Sequence, residues 1–340
     1  LLVTICGLLI LLLFVKTKFL VFGFACVIFA LISGINSVLN GVQNAARQRS
    51  IVALHQGLAT WTQYFFAVVF VICLGHNSEN VMLGFILSSL LILFSQLYFF
   101  KHTISSGSVN QLVSSNWGKE IVDYSWPFAA WGIFTWAQIA SDRWALSAFS
   151  PMRELGLYAV LFQLGYAPVS LATNMLVQLL APIYFQRAGK VSDIVKIEKV
   201  NKLNLKLTII SLAFTFIMFG AVLALHKQIF AIFVAPEYRV NSYLLPWLAL
   251  AAGFFATGQI TSINLMSQLR TKTMLAVKIT TALLGLGLNF LGSYFYGIKG
   301  VVFGVLAFSF VYLMWMFLLT RTRMNNASTI VGETYLTQGS

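Results

Sequence analysis

Long apolar runs broken by short polar stretches divide the chain almost from end to end. The runs fall near 1–15, 19–40, 51–75, 80–100, 126–148, 155–185, 207–226, 243–265, 274–296 and 299–320. All but the first are close to or above the about 20 residues that a helix needs to cross the hydrocarbon core. The pattern predicts about ten membrane-spanning α-helices and an all-α, polytopic transmembrane bundle. Pro127, Pro168, Pro182 and Pro246 lie in these runs or at their ends, where they kink helices or free backbone groups. Gly300 and Gly304, four residues apart, give the last run a small-residue face for close helix packing.

Composition agrees with this picture. The chain has 340 residues, is 59% hydrophobic and only 9% charged, and has a mean hydropathy of +0.84. A soluble domain carries roughly 25% charged residues, so this one cannot cover a water-facing surface. The net charge of +13 is spread between the apolar runs, which argues against nucleic acid as a partner and for the Lys/Arg bias that orients membrane proteins. The connection 186–206 carries Arg187, Lys190, Lys196, Lys199, Lys202 and Lys206, and is expected to be cytoplasmic. Alternation then places Arg47, Arg49, Lys101, Lys119, Arg270, Lys272, Arg321 and Arg323 on the same side, with the C-terminus. Lys16, Lys18, Arg153, Lys227, Arg239 and Lys299 fall opposite, fourteen basic residues against six. Cys6, Cys26 and Cys73 all sit in apolar stretches without disulfide or metal-ligand spacing.

The first run opens directly at Leu1 with no basic n-region, unlike a signal peptide, and reads as the remainder of a helix in a longer protein. The stretch 101–125, rich in Ser, Asn and Gly, reads as a cytoplasmic linker between two lobes. Residues 1–100 then form what is left of an N-terminal lobe, 126–320 a C-terminal lobe, and 321–340 a cytoplasmic tail. A weak repeat supports pseudo-symmetric lobes. Asn40, Gln43, Arg47 and Arg49 end the second run; Asn264, Gln268, Arg270 and Lys272 end the eighth. His55 and Lys278 stand at matching distances beyond them. Parallel repeats of this kind occur in transporters, and a complete first lobe would need about two further spans of about 20 residues upstream.

Asp142 is the one acidic residue among nine that falls inside a predicted span. A charge at that depth costs a few kcal/mol on insertion scales and is expected to face a bundle interior or a wet cavity. Arg143 follows it, about 100° around a helix, so the two cannot face each other and each needs its own partner. One reading makes Arg143 an anion-attracting residue and Asp142 a proton- or cation-binding residue of a hydrated translocation cavity. The other lets Arg143 snorkel to the interface while Asp142 holds a neighbouring helix. Lys278 lies a turn or two from the end of its span, where snorkelling is the default and a cavity-facing cation the alternative. His55, in the matching place, reads as structural. Gln138, Gln163, Asn174, Gln178, Gln259, Asn264 and Asn289 form a set of intramembrane amides suited to hydrogen-bonding helices or to lining a carbohydrate passage. The expected substrate-binding residues are Arg143, Asp142, Lys278, Gln138 and Gln163. The sequence carries no phosphate-binding loop, no His-Glu-x-x-His, no paired acids and no Cys/His cluster, so neither a catalytic residue nor a cofactor or metal is expected.

Several stretches resemble a known family. They are Asn40-Gly-Val-Gln-Asn-Ala-Ala-Arg47-Gln-Arg49 running on to His55-Gln-Gly57, Tyr124-Ser-Trp-Pro-Phe128 followed by Ser141-Asp-Arg-Trp144, Gly156 to Gly165, and Ala181-Pro-Ile-Tyr-Phe-Gln-Arg187-Ala-Gly189. They look like bacterial polysaccharide biosynthesis transporters of the O-antigen flippase type, within the multidrug/oligosaccharidyl-lipid/polysaccharide exporter superfamily. The likeness covers most of the chain, with the first helix here matching the family's third and Trp126–Leu146 its seventh. It implies a two-lobed bundle in the bacterial inner membrane that flips an undecaprenyl-diphosphate-linked oligosaccharide by alternating access, for O-antigen, capsule or exopolysaccharide synthesis. A glycan polymerase and a chain-length regulator are the protein partners it suggests. The rivals are a multidrug/cation antiporter of the same superfamily, for which one intramembrane acid against two basic residues is a poor endowment, and a membrane glycan polymerase or ligase. Such enzymes usually carry a large charged periplasmic loop, whereas both long loops here are expected on the cytoplasmic side.

Overall fold

The computed structural model describes residues 20–46, 48–105, 117–188, 194–268 and 271–337. The described residues are helical almost throughout and divide into two compact units, Leu1–Ser115 and Asn116–Ser340.

In the first unit, α1 (Leu20–Ala45), α2 (Arg49–Leu74) and α3 (Ser78–Ser105) pack with α3 against both others. Gly84 of α3 permits the closest approach. A Cβ there would lie 2.7 Å from backbone atoms of Phe66 and Ala67. Polar side chains then join the helices. Asn36 donates to the Ser89 carbonyl at 2.9 Å, Gln96 to Asn40 Oδ1 at 2.9 Å, and the Thr62 and Ser88 hydroxyls meet at 2.6 Å. Such bonds hold helices together where lipid removes the hydrophobic drive between them. The outer surface of α2 is strongly apolar, with Trp61 80% exposed beside Phe65, Val68 and Ile72.

The second unit is built around α8. It comprises α4 (Trp117–Phe149), α5 (Met152–Leu161), a π turn (Phe162–Tyr166), α6 (Ala167–Ala188), α7 (Ile194–Phe233), a 3₁₀ segment (Pro236–Leu244), α8 (Leu245–Ser267) and α9 (Thr271–Thr337). In the apolar 18-residue stretch of Tyr238–Ser267, 83% of the residues are buried, against 11% in that of Lys196–Phe233. Helix α8 lies in the core because it has neighbours all round in α6, α7, α9 and the π turn. Gly253 and Gly258 make room, the first for Thr215 and the second for the Tyr312 ring. On the α7 side the contact is polar: Asn201 with Asn264 and Gln268, Thr208 with Thr261, and Ser211 with Thr257.

Helix α9 is broken at Gly297, whose φ of 57° suits glycine. Glu154 at the start of α5 accepts the Ile298 N–H at 2.9 Å, so a carboxylate from another helix caps the second half at its positive end. The halves then fold back with Gly292 against Gly300 so closely that a Cβ on Gly300 would collide with the Gly292 carbonyl. Gly304 sits likewise against Leu288 and Asn289, which gives the Gly300/Gly304 face its use.

Among the described residues, seven helical segments are long and apolar enough to cross a membrane, against the ten spans expected for the whole chain. The run 1–15 lies outside the described residues. The run 126–148 is helical within α4 but is not among the seven, since Asp142, Arg143, Gln138 and several Ser and Thr dilute its apolar character. The runs 274–296 and 299–320 both lie in the segment Thr273–Arg321 and are, as expected, two helices, which fold back on one another at the non-helical Gly297. The stretch expected as a linker, 101–125, is entered by α3 as far as Ser105 and by α4 from Trp117, while 106–116 lies outside the described residues. Helix α9 also continues through the expected tail to Thr337.

Candidate functional site

Lys278, on the first half of α9, does not reach an interface; it is 4% exposed. Its Nζ stands 3.7 Å from the centre of the Trp131 ring of α4 and 5.9 Å from that of Tyr312 on the second half of α9. Gln259 of α8 accepts from it at 3.4 Å and also from the Tyr312 hydroxyl at 3.4 Å. Trp131, Thr135, Gln138, Gln259, Lys278 and Tyr312 surround a small cavity of about 10 Å³, which is space for about one water molecule. No carboxylate lines it. Aromatic faces attract a cation by about 2 kcal/mol once water is removed, which offsets part of the cost of holding an unpaired charge in the core.

Asp142 lies one turn further along α4 than Gln138, at 3% exposure. The Tyr158 hydroxyl of α5 donates to its Oδ2 at 2.6 Å, and the Arg143 backbone N–H donates to Oδ1 at 2.6 Å. Both oxygens therefore have partners, and the carboxylate ties α4 to α5. Beside it, Ser141 donates to the Gln138 carbonyl at 2.6 Å and accepts from Asn289 at 2.9 Å, and Ser293 donates to the Ala145 carbonyl at 3.0 Å. One face of α4 thus carries a polar seam from the lysine cavity to Asp142. Arg143, on an adjacent face, is exposed, and its guanidinium carbon lies 5.1 Å from the centre of the Phe162 ring. Phe162 opens the π turn, a rare local geometry that is frequent at functional sites.

Of the five expected site residues, Lys278 and Gln138 share one cavity, and Asp142 and Arg143 sit apart from it against α5 and the π turn. Gln163 is exposed on the π turn and joins neither group. His55 is wholly buried in the first unit, bonded to the Ile51 carbonyl at 2.9 Å and the Ser95 hydroxyl at 3.0 Å, a structural role. Asn264 belongs to the amide cluster with Asn201 and Gln268, Asn289 to the seam, and Asn174 is exposed. Sequence reasoning missed the aromatic walls Trp131 and Tyr312, and it missed Tyr158. The last had a signal: Asp142 and Tyr158 are equidistant from Ser150, where the α4–α5 hairpin turns, so an antiparallel pair brings them side by side. Among the described residues no group of three His, Cys, Asp or Glu side chains could hold a metal ion.

No protein-family model matches the chain, and no curated protein matches it by sequence. Solved structures do match. A multidrug resistance MATE family transporter of the MOP superfamily, in an outward-facing conformation, aligns with a TM-score of 0.76 and 14% identity, covering 96% of this chain and 75% of its own. The fold is that of the MATE transporters. The Vibrio cholerae MATE transporter VcmN in the bent form aligns with a TM-score of 0.74 and 11% identity, covering 96% of this chain and 76% of its own. A MATE in complex with Br-NRF gives 0.75 and 15%, over 96% and 74%.

Proposed function

We propose that the chain belongs to a flippase for an undecaprenyl-diphosphate-linked oligosaccharide, working by alternating access in the bacterial inner membrane with its C-terminus in the cytoplasm. One observation carries most weight: the buried polar cavity of the second unit presents a lysine, two glutamines and aromatic rings, and no carboxylate. The cavity as it stands has room for about one water, so it must widen to meet the cargo; a cation and amides then suit a diphosphate and sugar hydroxyls, and aromatic faces suit the apolar faces of sugar rings. The buried acid of the same unit, Asp142, is occupied by Tyr158 and the Arg143 N–H. Lys278, Gln138 and Arg143 are the residues assigned to the cargo, with Asp142 holding the helices that present them and Gln163 available at the exposed π turn. A multidrug or cation antiporter is the second reading, favoured by the likeness to multidrug MATE structures. It calls for an acid facing the passage, which this cavity lacks.

Chromosomal Lys278→Met tests the proposal. Methionine keeps much of the volume against Trp131 and removes the desolvation cost of a buried charge that no carboxylate pairs, so protein abundance should hold. Surface glycan should be lost while the lipid-linked oligosaccharide accumulates inside. Normal surface glycan at equal abundance would overturn the assignment. Raised sensitivity to cationic dyes, with glycan intact, would favour the antiporter.

A further inference from the structure

A second cavity, away from Lys278, lies between α7 and the end of the Thr273–Arg321 span. It has a volume of about 350 Å³ and is lined by Asn201, Asn204, Leu205, Thr208, Phe317, Thr320 and Arg321. Its polar groups are set in one sense. Asn201 Oδ1 accepts from Asn264 at 2.9 Å and from Gln268 at 3.2 Å, and Asn204 Oδ1 accepts from Tyr184 at 3.2 Å. With both amide oxygens engaged, the N–H₂ ends of Asn201 and Asn204 are what these side chains have left to offer. Both residues are more than nine-tenths buried, at 5% and 3% exposure. The Thr208 hydroxyl donates to the Asn204 carbonyl and Thr320 to the Phe317 carbonyl, so neither adds a proton to the cavity. Arg321 supplies an exposed guanidinium at the rim, and no acid lines the cavity. The lining therefore offers N–H donors and a positive charge, which selects an anion rich in acceptor oxygens.

Its depth in the membrane narrows the choice. Helix α7 has 40 residues, roughly 60 Å at 1.5 Å per residue and about twice the hydrocarbon thickness. Its Lys-rich start must therefore project beyond the hydrocarbon, and residues 201–208 fall near the boundary, level with the end of the span at Arg321. Leu205 and Phe317 give the same cavity an apolar flank. Polar donors at headgroup depth beside an apolar flank match a lipid rather than a soluble ion, and basic pockets between helices are a recognised mode of headgroup binding. We infer that the cavity formed by Asn201, Asn204 and Arg321 binds the phosphate of an anionic lipid headgroup. The inference does not rest on the proposed cargo and survives its failure.

The test titrates dioleoyl phosphatidylglycerol into the detergent-solubilised chain, with bound lipid read by native mass spectrometry. Phosphatidylcholine and millimolar inorganic phosphate form the comparison arms. Arg321→Gln should weaken phosphatidylglycerol by about tenfold, as expected for one charge-assisted bond, and Arg321→Lys should restore part of it. Asn204→Asp keeps the acceptor for Tyr184 but replaces donors by negative charge, and should weaken binding further. Lys299→Gln removes an equal charge elsewhere and should change nothing. The inference is overturned if Arg321→Gln leaves affinity unchanged, if phosphatidylcholine binds as well as phosphatidylglycerol, or if inorganic phosphate displaces the lipid. Should Asn204→Asp fail to fold, Arg321→Gln still decides.

Discussion

Removing the Tyr158 hydroxyl should loosen the second unit by an amount the geometry lets us bound. The bond to Asp142 Oδ2 is 2.6 Å long, between a residue with 0% and one with 3% exposure, so water cannot replace it. A hydrogen bond to a charged group contributes about 1.5–3 kcal/mol in soluble proteins. Interhelical bonds in a membrane protein average about 0.6 and reach about 1.7 kcal/mol, because the unfolded chain in lipid also finds partners. Full burial and charge place this bond at the upper end of the membrane range, so Tyr158→Phe should cost about 1.5 kcal/mol, or roughly tenfold in the unfolding equilibrium. Reversible unfolding in mixed micelles would measure it, with Tyr158→Phe, Asp142→Ala and the double variant closing a cycle. The coupling between the two sites should exceed about 1 kcal/mol. A coupling near zero would refute the idea that Asp142 is held as a tie between α4 and α5, and would return it to the list of groups free to bind a transported ion.

Three further outcomes can be checked. Gly300→Ala forces a Cβ onto the Gly292 carbonyl and should cost at least the about 1–3 kcal/mol of overpacking, whereas Gly287→Ala on the same helix meets open space and should gain up to about 1 kcal/mol; thermal unfolding in detergent compares them. Arg143→Ala should abolish surface glycan at normal abundance, with Arg143→Lys rescuing only in part, because a planar guanidinium grips phosphate oxygens as an ammonium cannot; full glycan in Arg143→Ala would remove it from the site. In a cysteine-free background and intact cells, Asn77→Cys should react with an impermeant thiol reagent and Lys202→Cys should not, as the Lys/Arg bias requires; the reverse pattern would invert the proposed orientation.

The helical, membrane-spanning character of the chain was legible because apolar runs long enough to cross the hydrocarbon allow few other structures. Asp142 was legible as the odd residue, since a charge inside an apolar run asks for a partner. For Lys278 the sequence left snorkelling as the default beside a cavity-facing cation, because distance from a helix end says where a side chain could reach, not what surrounds it. Its surroundings come from Trp131 on α4 and Tyr312 on the second half of α9, and no local pattern marks either of them. The matched positions of His55 and Lys278 can be compared directly. Each is buried near the start of its helix and faces the segment that follows, His55 at Ser95 and Lys278 at Tyr312, although one contact is a hydrogen bond and the other is between a cation and a ring. The break between the runs ending at 296 and beginning at 299 was legible and falls at Gly297, but its cap was not, because Glu154 lies well over a hundred residues away.

The π turn at Phe162–Tyr166 has a consequence for chain length. Elsewhere in an α-helix the loss of one residue swings everything beyond it by about 100° and parts each side chain from its neighbour. A π turn holds one residue more than the α-helix it interrupts, so trimming it there lets the rod wind normally with both flanks still aimed as before. Tyr158 ahead of the turn, bonded to Asp142, and Gly165 within it, packed on Leu245, pin the two sides to different neighbours. Deleting Gln163 should thus be absorbed as a local tightening, whereas deleting Ala159 should unseat Tyr158 or all that follows. The segment carries a single spare link, and it lies directly under Arg143.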